Sequence, residues 1–126
     1  MQIRHGRASM NRMDTAERLV ATPGVQKVPS PRLSLFIRRA FLRPDECARI
    51  IAMIDERRRP STLADDFGDP LFGTSETCDL DHGDPAVAAL DAKIAAFTGL
   101  DPAHGEPLQG QRYAVGQEFK LHTDYF

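Results

Sequence analysis

Cysteine is scarce in this sequence. There are two, Cys47 and Cys78, far apart along the chain, which makes neither a disulfide framework nor a zinc-ligand spacing. Cys47 falls on the apolar stripe of a predicted helix, where a thiol acts as a small hydrophobe. Long apolar runs are missing too, and none approaches a membrane span. The opening "MQIRHGRASMNRMDTAERLV" lacks the hydrophobic stretch of a secretory signal. No membrane partner is therefore expected, and the default location is cytoplasmic. Charge is unevenly spread. Residues 1–59 hold 13 Lys/Arg against 6 Asp/Glu, and residues 60–126 hold 3 against 12. A basic half can mark a nucleic-acid surface. Here the arginines are scattered and few aromatics lie among them for base stacking, so a solvated surface and no nucleic-acid partner are expected.

What remains is an ordinary soluble composition, 41% hydrophobic and 27% charged, in a chain long enough for about one domain. Residues 1–31 read as a flexible lead-in closed by "TPGVQKVPSPR", with a short helix near 12–20. In "RLSLFIRRAFL", residues 32–42, Leu33, Leu35 and Ile37 alternate at strand period. Pro44 then opens a helix, with Asp45 and Glu46 in its first turn. Cys47, Ile50, Ile51 and Ile54 mark its buried face, and Pro60 ends it.

A loop over residues 61–71 leads to the strand "LFGTSETCDL". Asp84 and Pro85 start a second amphipathic helix carrying Val87, Leu90, Ile94 and Phe97, which Gly99 stops. Two further strands, "LQGQRYAV" and "EFKLHTDYF", are divided by Gly116 and are expected to pair as an antiparallel hairpin.

His122 and Asp124 stand two apart in the last of these strands. Residues i and i+2 of a strand project from one face, so an imidazole nitrogen and a carboxylate oxygen can share one ion while Thr123 faces away. His-x-Asp supplies two of the three ligands of a 2-His-1-carboxylate triad, the open-faced site of non-haem Fe(II). The tripeptide alone is weak; a surface hydrogen bond between His and Asp is the plainer explanation.

The surroundings strengthen it. "RYAVGQEFKLHTDYF" resembles the corresponding segment of the prolyl 4-hydroxylase alpha-subunit catalytic domain, a branch of the Fe(II)/2-oxoglutarate-dependent dioxygenases. "FLRPDECARIIAMI", "RPSTL", "TSETCDL" and "DPAVAALDAKIAAFTGL" match further family segments in order, so the similarity spans about residues 33–126. It implies an α+β fold in which two N-terminal helices pack on the first strands of an incomplete double-stranded β-helix, or jelly roll. It implies His122 and Asp124 as iron ligands and the Tyr113 hydroxyl as a contact to 2-oxoglutarate. Arg112, turned the other way, is expected to be structural.

The same resemblance implies hydroxylation of a peptidyl proline, coupled to conversion of 2-oxoglutarate into succinate and CO2. L-ascorbate would keep the iron reduced, and a peptide or protein substrate is the expected partner. Arg43 stands where such domains favour a capping Ser, and Gly73 where they often have Arg. The family's second iron-binding His, and the basic residue that anchors 2-oxoglutarate, lie downstream of His-x-Asp. In this sequence the other histidines, His5, His82 and His104, all lie upstream, and His82 and His104 sit in polar loops as exposed residues. Residues 32–126 are thus expected to be the N-terminal part of such a domain, a fragment ending after His-x-Asp. A non-catalytic protein-binding module and a site completed in trans by a second chain are the alternatives. An open final strand would also invite pairing with another chain.

Overall fold

A computed structural model describes residues 14–61 and 74–122. Within them lie helix α1 (Thr15–Ala21), strands β1 (Val25–Lys27) and β2 (Phe36–Arg38), helix α2 (Pro44–Arg57), strands β3 (Arg59–Pro60) and β4 (Glu76–Asp79), helix α3 (Pro85–Thr98), a 3-10 turn (Pro102–His104) and strand β5 (Gln109–Arg112). The fold is α+β. Two small antiparallel sheets, β1–β2 and β3–β4–β5, lie beside the helices.

The helices form where local chemistry favours them. Pro44 occupies the first turn of α2, where its missing N–H costs nothing. Arg43 lacks the hydroxyl of a capping Ser, yet its backbone N–H donates to Glu46 Oε2 at 2.7 Å. Its guanidinium pairs with Asp45 at 3.1 Å. The carboxylates of Asp45 and Glu46 are both held below the usual range. For Asp45 the main cause is the hydrogen bond from Arg43; for Glu46 it is the Arg43 N–H, then Lys93. α3 starts as expected, with Asp84 accepting from the Ala86 N–H at 2.8 Å. It stops at Gly99, whose φ of 73° belongs to the left-handed region that glycine enters without strain.

The buried core among the described residues is Met53, Cys78, Leu80 and Val87, with Ile50, Ile54 and Leu108 packed against it. α2 therefore presents Ile50, Met53 and Ile54 to the sheet. Ile51, expected on that face, is 57% exposed, because the docked face is turned toward Met53. β4 is the central strand. Cys78 lies opposite Gly110 of β5, and both are buried on the side that meets α2. A Cβ at Gly110 would collide with Ile54 Cγ1 and Cδ1, so the close approach of helix and strand depends on the missing side chain. By alternation, Thr77 and Gln111, also register partners, project from the opposite face.

Two further expectations need correction. The strand over 32–42 shortens to β2, and Leu33 and Leu35 are exposed. β2 pairs with β1, inside the first 31 residues where the sequence pattern indicated no strand. A two-stranded ribbon this short offers no second layer to cover alternating leucines. The expected hairpin of residues 108–115 with 118–126 is likewise absent among the described residues: β5 pairs with β4.

Candidate functional site

The turn after β5 explains the lost hairpin. Gln117 N–H donates to Ala114 O at 3.0 Å, Ala114 N–H donates to Gln117 Oε1 at 2.7 Å, and Gly116 adopts φ 86°. The tight turn expected at Gly116 is present. Extending the pairing of Glu76 with Arg112 would set Ala114 opposite Thr74, but the Ala114 N–H is already used within the turn. The ladder passes instead to Glu118. Thr74 N–H donates to Glu118 O at 3.0 Å, and Glu118 N–H donates to Thr74 Oγ1 at 3.1 Å. The turn thus carries the chain back beside the approach to β4, and His122 follows four residues later.

Tyr113 immediately follows β5. Its hydroxyl donates to Gln111 Oε1 at 3.2 Å, as the i, i+2 spacing on an extended segment permits. Both side chains belong to the sheet face opposite α2. Gln111 was not singled out in the sequence, although the same spacing rule that pairs His122 with Asp124 would have found it. Arg112 points the other way. It bonds Glu76 at 2.9 Å and lies 3.7 Å from Asp55. Arg58 closes the group, 3.1 Å from Glu76 and 2.8 Å from Asp55. These four charges tie α2 to β4 and β5, which is the structural role expected of Arg112.

His122 is exposed. Its Nδ1 lies 2.7 Å from Lys120 O, and its ring stacks on Phe119 with centroids 3.8 Å apart and planes 25° from parallel. A carbonyl oxygen can only accept, so this hydrogen bond needs the proton on Nδ1. In the neutral ring the lone pair is then on Nε2. Metal-bound histidines are commonly oriented this way, with the other ring nitrogen donating to a carbonyl.

Asp124, the other expected ligand, lies outside the described residues, as do His5 and Gly73. Among the described residues no group of three or more His, Cys, Asp and Glu is placed to hold a metal ion. His82 and His104 are exposed, as expected. His82 Nδ1 lies 3.1 Å from Asp91, and His104 ends the 3-10 turn. No helix among the described residues is long and apolar enough to cross a membrane.

Comparison with known proteins gives a consistent set of relatives. Prolyl 4-hydroxylase 2 of Arabidopsis thaliana is 32% identical over 112 residues, covering 85% of this chain and 38% of that protein. Probable prolyl 4-hydroxylase 4 of the same plant is 32% identical over 109 residues, covering 82% and 37%. Prolyl 4-hydroxylase 5 is 33% identical over 91 residues, covering 68% and 31%. The chain thus spans 38% or less of the length of these curated relatives. No family model matches it, and no solved structure matches it significantly.

Proposed function

The chain is prolyl 4-hydroxylase-like, and from that premise we propose that it contributes part of an Fe(II)/2-oxoglutarate dioxygenase site. His122 and Asp124 are the metal ligands in this proposal, and Tyr113 is the cosubstrate contact. One observation carries it beyond sequence likeness: the 2.7 Å hydrogen bond from His122 Nδ1 to Lys120 O. It sets the tautomer with the lone pair on Nε2, and the Phe119 ring holds the imidazole plane.

When bound, Fe(II) and 2-oxoglutarate supply the oxidising power for C–H hydroxylation, which no side chain offers. The residues of this chain hold and orient. His122 offers Nε2 and Asp124 a carboxylate oxygen. Tyr113, whose hydroxyl is bonded to Gln111, would offer that hydroxyl to a carboxylate of 2-oxoglutarate. L-ascorbate serves as reductant, and a peptidyl proline is the substrate. β3, β4 and β5, with α2 on one face, are the first strands of a jelly roll.

The test uses the 126-residue polypeptide. Titration with Co(II), an air-stable substitute for Fe(II), should give weak binding that His122→Ala and Asp124→Ala each abolish. No succinate should form from 2-oxoglutarate with Fe(II), because the two proposed ligands alone hold iron poorly. Co(II) binding that survives His122→Ala, or iron-dependent turnover by the isolated chain, would refute the assignment.

A further inference from the structure

A concave site lies away from Tyr113 and His122. After Gly99 reverses the chain at the end of α3, residues 100–108 fold back over one side of that helix. The Leu80 N–H fixes the far end by donating to Leu108 O at 3.0 Å. Between them is a cleft of about 570 Å³, within the size range of small-molecule sites. Ile94, Ala95, Leu100 and Leu108 give it apolar walls. Leu100 is 60% exposed, so apolar surface is left in water at a concave place where a ligand could cover it.

The polar groups that line the cleft have one bias. Asp91, Asp101 and Glu106 line it together with His82 and His104, and among the described residues no Lys or Arg does; the nearby Arg18 guanidinium is engaged by Ala96 O at 2.8 Å. Asp91 is engaged by His82 at 3.1 Å, and Asp101 Oδ1 accepts from the Ala103 N–H at 2.9 Å. Each acid is thereby held in place while keeping acceptor capacity, since a carboxylate has about four lone-pair sites. Glu106 has no side-chain partner among the described residues. An apolar wall with carboxylates at its edge complements a ligand that has an apolar body and a positive end, and it disfavours an anion.

We propose that this cleft binds a small organic cation, an alkyl- or arylalkyl-ammonium, with its apolar body against Ile94, Leu100 and Leu108 and its ammonium beside Glu106. The site is separate from the proposed iron site and does not rest on it. The probe is n-hexylammonium chloride, with hexan-1-ol and hexanesulfonate as neutral and anionic counterparts, each titrated into the 126-residue chain and followed by amide NMR. The ammonium should give saturable shifts confined to residues 80–108 and bind at least about threefold more tightly than the alcohol, the scale of one exposed charge contact. The sulfonate should bind least.

Glu106→Gln should bring the ammonium toward the alcohol's affinity, and Leu100→Ser should weaken both. Both positions are exposed, so unchanged amide shifts elsewhere will show that the fold is intact. Equal affinity for all three probes, shifts centred elsewhere, or a Glu106→Gln chain that binds the ammonium as well as the parent would overturn the proposal.

Discussion

Adding one methyl group at Gly110 should destabilise the protein through a single contact. The glycine is buried in β5, and a Cβ built there meets Ile54 Cγ1 and Cδ1 well inside van der Waals distance. Overpacking of this kind costs about 1–3 kcal/mol. Replacing a strand glycine by alanine returns about 0.5–1 kcal/mol of backbone entropy. The net loss for Gly110→Ala is then at most about 2.5 kcal/mol and centred on about 1 kcal/mol. With a urea slope of roughly 1–1.5 kcal/mol/M for a small domain, the unfolding midpoint should fall by about 1 M. The sequence has no tryptophan, so the transition is best followed by circular dichroism of the helices.

A second substitution isolates the cause. Ile54→Ala removes both colliding atoms and leaves Ile54 Cβ 3.5 Å from the new methyl, an ordinary contact. Ile54 is only partly buried, so Ile54→Ala alone should cost about 1–2 kcal/mol, below the range for a full core position. The double variant should be no less stable than Ile54→Ala, giving a coupling of about 1–2 kcal/mol between neighbours. Additive losses, or a Gly110→Ala midpoint within about 0.2 M of the parent, would refute the close packing of α2 on β5.

Other expectations follow from the charges and the exposed apolar residues. The Asp84 carboxylate is held below its usual range chiefly by the Ala86 N–H, with Arg49 adding and burial opposing. A lowered folded pKa means stability that is present above the unfolded carboxylate value and lost as pH falls through the folded one. Asp84→Asn keeps a capping oxygen without that titration, so its acid unfolding below about pH 4 should be less steep than the parent's. Val115, within the turn, and Leu121, beyond it, are fully exposed. Val115→Lys with Leu121→Lys should leave urea stability within about 0.5 kcal/mol and lower any self-association seen by sedimentation; association that persists would place the contact elsewhere.

The parts of this fold legible in the sequence are those whose causes are local. The start of α3 needs only Asp84 and Pro85, and its end only Gly99. The turn at Gly116 needs only a residue that tolerates φ 86°. Where a partner distant in sequence decides, the pattern fails. The apolar positions of α2 permit a face through Ile51 or one through Met53, and the choice depends on how Gly110 lets β5 approach Ile54. β1 is three residues long and shows no period of its own; it exists because β2 pairs with it. The lost hairpin is the same case, since the partner of Glu118 is Thr74, 44 positions away.

The candidate site divides along the same line. His122, Asp124 and Tyr113 could be named because His-x-Asp and the spacing to the tyrosine are written within one short segment. The setting of His122 was not legible, because it comes from Lys120 O and the Phe119 ring, and no spacing rule says which nearby carbonyl an imidazole will use. That setting has a consequence for the proposed chemistry. A histidine whose Nδ1 proton is already engaged can, on the proposed reading, present Nε2 to a metal without first choosing a tautomer. Among the described residues no third His, Cys, Asp or Glu is placed to complete a metal site. With so few donors the proposed site should bind metal weakly, and single substitutions at His122 and Asp124 should each remove that binding altogether.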